Sequence, residues 1–149
     1  MRLKDCHNFR DFRRLAEQRL PSPIFNYIDG GADDEVTMRR NTAAFEACDL
    51  VPSVLRGVTD VDLSVTVMGQ KIDLPVYLSP TALQRLFHHQ GERATAAAAE
   101  KFGTLFGVSS LGIVSMEELA KKHRTPQVYQ FYFHKDRGLN RAMMEKARQ

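Results

Sequence analysis

Apolar residues recur at helical spacing from the start of the chain. Phe9, Phe12, Leu15, Ala16 and Leu20 predict a first helix, and Pro21 stops it. Ser22-Pro23 predicts the opening of a second, with serine as N-cap and proline at the first helical position. That helix carries Ile24, Phe25, Tyr27 and Ile28 and ends at Asp29-Gly30-Gly31-Ala32, where glycine permits a left-handed exit. A third helix is expected from Asp33 or Asp34 to about Ala47, with acidic residues at its positive end. The pattern then changes period. Leu63, Val65 and Val67 alternate with Ser64 and Thr66, and Gly69 separates them from Ile72 and Leu74, which predicts a hairpin.

After residue 75 short apolar runs alternate with helical ones. Val76-Tyr77-Leu78 reads as a strand leading into Ser79-Pro80-Thr81-Ala82. Residues 92–102 form an alanine-rich helix closed by Gly103, and residues 105–108 a second strand leading to Ser109-Ser110. Ser115-Met116-Glu117-Glu118 has the form of a capping box at the head of another helix. Residues 128–133 read as a third strand, and Asp136 caps a last helix with Leu139, Met143 and Ala147 on one face. The order β-α-β-α-β-α implies an α/β architecture with parallel strands and right-handed crossovers. The expected organisation is residues 1–74 as a helical segment with a hairpin, and residues 75–149 as the βα region. Three strands alone leave two open edges. The sheet is therefore expected to continue, in another chain or in a larger protein of which this is a fragment; the fragment is the favoured expectation.

Composition narrows the class. The 149 residues are 43% hydrophobic and 26% charged, which excludes disordered and collagen-like chains. Twenty-one basic against 18 acidic residues give a net charge of +3 with mixed signs, so no nucleic-acid partner is expected. No apolar run approaches the ~18 residues of a membrane span, and the amino terminus lacks the apolar core of a signal peptide. The expected location is cytoplasmic. Cys6 and Cys48 form no CxxC and read as small hydrophobes or surface thiols.

Candidate chemistry lies at the carboxyl ends of the strands, where βα folds gather functional groups. In Val128-Tyr129-Gln130-Phe131-Tyr132-Phe133 one face presents Gln130 and Tyr132, the other Tyr129, Phe131 and Phe133. A polar face is unusual on a strand buried on both sides. Either Gln130 and Tyr132 bond each other or a neighbouring strand, or a ligand satisfies them. His88-His89 points two ways and has no further ligands, so no metal is expected. Ser109-Ser110 lacks a positioned histidine–acid pair, which favours phosphate or ring contact over nucleophilic catalysis. No Gly-x-Gly-x-x-Gly, Walker loop or Gly-x-Ser-x-Gly elbow is present.

Several segments together resemble one family. Tyr27-Ile28-Asp29-Gly30-Gly31-Ala32-Asp33-Asp34-Glu35-Val36-Thr37 with Arg40-Asn41 is similar to the amino-terminal signature of the FMN-dependent 2-hydroxy acid dehydrogenases and oxidases. Leu78-Ser79-Pro80-Thr81-Ala82-Leu83-Gln84, with His88 and Gly91-Glu92, resembles the family's first βα loop; Ser109-Ser110 resembles its second strand end and Gln130-Phe131-Tyr132 its third. The resemblance implies the first three βα units of a (β/α)8 TIM barrel behind a helical segment that shields its rim. It implies FMN as cofactor and a small (S)-2-hydroxy acid, of lactate, glycolate or mandelate type, as substrate. Pro80, Thr81 and Ala82 would then meet the flavin ring, Ser109 the ring or ribityl chain, and Gln130 the pyrimidine edge. Tyr27 would bond the substrate carboxylate, Tyr132 its hydroxyl or keto oxygen, and Leu111 would shape the pocket. The family's histidine base, its arginine, the lysine near flavin N1 and the phosphate loops belong to later strands. This chain alone is therefore expected to be inactive and to bind FMN weakly. The resemblance implies homo-oligomers among full-length members and leaves peripheral membrane association open. The rival expectation is a non-catalytic half-barrel remnant that self-associates as a structural protein.

Overall fold

The computed structural model describes residues 2–148. These form two compact units, one running to Thr59 and one beginning at Asp60. The hairpin, grouped by sequence with the amino-terminal helices, thus packs with the strands that follow it.

The amino-terminal unit holds α1 (Phe9–Arg19), α2 (Ser22–Asp29) and α3 (Val36–Glu46). Asn8 caps α1 by accepting from the Asp11 N–H at 3.1 Å. The cap of α2 is Pro21, not Ser22; the serine already lies in the first turn and makes no side-chain cap bond. The helix begins one residue early because proline's fixed φ suits its entry. A two-pronged contact from Arg13 to Asp29, at 2.5 and 2.7 Å, ties α1 to α2. The third helix starts at Val36, later than expected. The acidic residues before it form a turn, in which Glu35 adopts φ +57° and accepts from the Gly31 N–H. Its carboxylate satisfies the loop and not the helix terminus.

In the second unit β1 (Val65–Val67) and β2 (Gln70–Ile72) form the expected hairpin. Met68 and Gly69 at its tip both have positive φ, 51° and 76°, the two-residue turn whose twist matches antiparallel strands. Then follow α4 (Glu92–Lys101), β3 (Phe106–Ser109), α5 (Met116–Lys122), β4 (Gln127–Gln130) and α6 (Arg137–Ala147). Strands β3 and β4 pair in parallel, with Ser109 opposite Gln130.

The sheet is smaller than the pattern predicts. Val76-Tyr77-Leu78 is no strand: it contributes one parallel bridge, Leu78 to Phe106. Leu78 donates to Leu105 O at 3.0 Å and accepts from Gly107 N at 2.7 Å. Pro75 and Pro80 flank this bridge, and neither has an N–H with which to extend a ladder. The bridge needs glycine at 107, since a β-carbon there would stand 2.7 Å from the Pro80 ring and 2.9 Å from Leu78 O. At the other side β4 stops at Gln130, so residues 131–133 leave the sheet and Tyr132 and Phe133 are exposed.

One apolar cluster forms the centre of the second unit. Ala96 and Ala99 of α4 pack with Phe106, Val108, Val114 and Leu119, and Leu78, Met116 and Tyr129 close over them. Alanine on the buried side of α4 keeps that side of the helix small. Ser115 caps α5 through the Glu118 N–H at 3.2 Å, but the box is only half made. The Glu118 carboxylate turns instead to Arg93 at 2.6 and 3.0 Å and to Lys122 at 2.8 Å. Asp136 caps α6 as expected, while the buried residue of that helix is Asn140 and Leu139 stays exposed. Among the described residues no helix is long and apolar enough to cross a membrane.

Candidate functional site at the strand exits

Parallel pairing brings the ends of β3 and β4 level, and the Leu78 bridge sets the Ser79-Pro80 segment beside β3. Ser109 is buried at 7% exposure. Its Oγ accepts from the Leu111 N–H at 3.1 Å and makes a long bond to Gln130 Oε1 at 3.5 Å. Ser110 donates to the same Oε1 through its hydroxyl at 3.2 Å and its N–H at 3.3 Å. The Ser110 N–H also reaches Gln130 O at 3.0 Å. Gln130 therefore bonds the neighbouring strand, and does so with its acceptor alone. Among the described residues no protein group accepts from its Nε2.

The loop after β3 is firmly built. The Leu111 carbonyl accepts from the Leu83 N–H at 3.2 Å, and the Gly112 N–H donates to Ser109 O at 2.9 Å. Glu92, at 0% exposure, accepts from the Ile113 N–H through Oε1 at 3.0 Å, while its Oε2 has no hydrogen-bond partner. Leu111 itself stands out at 51% exposure. The segment after the first bridge is also anchored: Gln84 donates to Thr81 O at 3.2 Å and accepts from Thr95 at 2.5 Å. Pro80 and Thr81 are exposed and Ala82 is half-buried.

Tyr132 lies on the irregular segment after β4, 57% exposed, with no hydrogen bond to a described residue. Tyr27 lies on α2 in the amino-terminal unit, 60% exposed. The structure thus gathers Ser109 and Gln130 in one network, with Ser110 between them. Leu111 and Thr81 hang on the same set of loops.

A cavity of about 760 Å³ lies elsewhere, lined by Val108, Met116, Ala120, Tyr129 and Lys146 among others. It contains none of the residues nominated from sequence. Burial, with a smaller contribution from Glu117, pushes the Tyr129 phenol above its usual range. Lys146 holds Glu117 down to about 2, and Arg93, helped by Lys122, holds Glu118 down to about 2. These carboxylates stay ionised as structural partners and are not poised for proton transfer near neutrality.

Sequence reading missed two polar anchors, Glu92 and Asn140. Glu92 is in the sequence only one member of the motif around His88 and Gly91, and tertiary packing is what turns its carboxylate inward. Asparagine amid the apolar spacing of the last helix was the better signal, because it disfavours helix interiors unless it bonds backbone.

The family profile described as FMN-dependent dehydrogenase matches residues 16–149. An L-lactate oxidase from Nostoc is 41% identical over 144 residues, 94% of this chain and 40% of that protein. Spinach glycolate oxidase is 35% identical over 140 residues, 94% of this chain and 38% of its own length. A crystal structure of mandelate oxidase superposes with a TM-score of 0.83 at 34% identity, covering 93% of this chain and 40% of that one. The chain spans about two fifths of the length of these relatives. With the glycine, proline, serine and glutamine of the strand exits, the match over nearly the whole chain leads to one conclusion: this chain belongs to the FMN-dependent dehydrogenase family.

Proposed function

We propose that the strand exits form the flavin-ring side of a site for oxidation of small (S)-2-hydroxy acids to 2-keto acids. On this reading the segments ending at Leu78, Ser109 and Gln130 occupy the first three strand positions of a (β/α)8 barrel, the first of them reduced here to a single bridge. The observation that carries it is the Gln130 carboxamide. Its oxygen is fixed by the serine pair, and its Nε2 is left with donors and no acceptor among the described residues. A pyrimidine edge, with its carbonyl oxygens, meets such donors. The backbone of Pro80, Thr81 and Ala82 would flank the ring, and Ser109 would meet the ring or ribityl chain through its hydroxyl oxygen.

FMN, held by these residues, would supply the two-electron acceptor for oxidation of the substrate. The protein's part is orientation. Tyr132 would hold the substrate's hydroxyl or developing keto oxygen, Tyr27 would bond the carboxylate, and Leu111 would limit the side chain. The hydroxyl proton must pass to a base, worth typically ~10²–10⁴-fold in rate, and none of these residues supplies one. Turnover therefore requires groups beyond those named. The support for this is the span of the match, 40% of the length of the Nostoc relative.

Anaerobic mixing of the chain with FMN and L-lactate or glycolate tests the reading. Weak FMN binding without bleaching is expected. Bleaching at an enzyme-like rate would contradict the inactivity of these residues alone, and no FMN binding at millimolar concentration would contradict the ring site.

A further inference from the structure

Between β4 and α6 the chain runs through residues 131–135 with no ladder partner. Among the described residues, one side chain supplies all the hydrogen bonds to this backbone. Asn140 Oδ1 accepts from the His134 N–H at 2.9 Å, and Asn140 Nδ2 donates to His134 O at 2.9 Å. One carboxamide thus saturates both polar groups of one residue, as a neighbouring strand would have done. Asn140 is 2% exposed, the buried residue of α6, in a helix interior where asparagine carries a propensity cost. An apolar residue there would bury more readily, but would leave the His134 N–H and C=O to find water.

The clamp has a defined register. Asp136 accepts from the N–H groups of Gly138 and Leu139, which fixes where α6 begins and so where Asn140 points. At the other end Gln130 is fixed by Ser110. Tyr132 sits two residues from each anchor. The ring contacts of Phe131 with Phe133, at 5.6 Å, and with His134, at 6.3 Å, tie the intervening turn together. The phenol between these anchors projects to solvent and bonds no described residue.

We propose that Asn140 is a positioning residue for Tyr132. It holds the exit of β4 in one conformation, so that the phenol is presented pre-oriented to an oxygen of a small ligand. That this oxygen belongs to a 2-hydroxy acid rests on the function proposed above; the clamp itself rests on the two bonds to His134. Pre-orientation spares the ligand the cost of ordering the segment.

The test is ¹⁹F NMR of the full chain grown with 3-fluorotyrosine, which labels its four tyrosines, the Tyr132 line being assigned with Tyr132→Phe. Asn140→Asp is the main variant. It matches the native shape and keeps the acceptor for the His134 N–H, but sets an oxygen against the His134 carbonyl. The Tyr132 line should differ from free fluorotyrosine in the native chain and move at least half-way toward it in the variant, while the other three lines stay. Asn140→Ala removes both bonds and should speed His134 amide exchange about tenfold, the loss of roughly one hydrogen bond. If that variant unfolds and all four lines collapse, the aspartate variant decides alone. A Tyr132 line unmoved in Asn140→Asp, or already averaged in the native chain, overturns the proposal. Adding FMN and a 2-hydroxy acid separates the two claims: a held Tyr132 line that does not respond leaves the clamp standing and removes the proposed substrate.

Discussion

The exits of β3 and β4 lie side by side and are built in opposite ways. After β3 each backbone N–H from Ser110 to Ile113 has an acceptor: Gln130 O, Ser109 Oγ, Ser109 O and Glu92 Oε1 in turn. Ser109 is buried at 7% exposure. After β4 the ladder ends, Tyr132 and Phe133 are 57% and 72% exposed, and a single asparagine holds the backbone. The first exit is a wall whose polar groups are mostly consumed internally. The second is an arm clamped at one residue, and its phenol bonds no described residue. The proposed flavin site would use both, since a rigid wall sets stacking and an exposed side chain can reach a bound reactant.

The contrast can be broken at several points. The largest effect is expected at Gly107, where valine would drive a side chain into Pro80 and separate the Leu78 bridge from β3. Gly107→Val should cost ~3 kcal/mol, at the upper end for overpacking, read from urea unfolding; a cost below ~1 kcal/mol would mean that the bridge does not hold the first segment. Glu92→Ala comes next. It strips the Ile113 N–H of its buried acceptor and should cost ~2 kcal/mol. Glu92→Gln keeps an acceptor for that N–H and should recover at least half of the loss. Gln130→Ala removes the shared acceptor of the serine pair, for ~1 kcal/mol, and should loosen amide exchange at Ser110 without disturbing His134. Equal loosening at both would show that the two exits are not independent.

Acid should act more gently. Glu117 and Glu118 both lie near 2 in the folded chain, below their ordinary value of 4.5. A folded pKa below the unfolded one stabilises fully above the unfolded value and is lost as pH falls from about 4.5 toward 2. Both pairs are partly solvated, so Glu118→Gln should lower Tm by a few degrees at most near neutrality and flatten the acid limb of the melting profile. The smallest stability effect belongs to Tyr132→Phe. Its hydroxyl has no described partner, so the change should stay within ~0.5 kcal/mol while weakening any ligand bonded there. A larger loss would mean that the arm is structural.

Much of this was legible in the sequence because it depends on spacing. The hairpin, the alanine-rich α4 and the Asp136 cap follow from periodicity and capping chemistry alone. The glycines and prolines carry signals too: Pro75 and Pro80 disfavour the strand they flank, although its apolar content favours one. Residues 131–133 continued the alternation of β4 on paper. What ends the strand is the lack of a further partner beyond Ser109, a tertiary fact. Gln130 stands out in the sequence as a polar residue in an apolar strand, but its bonds to Ser109 and Ser110 come from parallel register, which no local pattern states. Glu92 and Asn140 escaped because each acts on backbone more than five residues away.

The central claim is that the exits of the parallel strands face a flavin ring. Chemical-shift mapping of the ¹⁵N-labelled chain with riboflavin and with FMN tests it most directly, because these residues are proposed to meet the ring and not the phosphate. Both ligands should shift the same signals, the amides of Thr81, Ala82 and Ser110 and the side-chain NH₂ of Gln130, with similar weak affinity. Shifts confined to the cavity lined by Val108, Met116 and Tyr129, or a response to FMN alone, would contradict it.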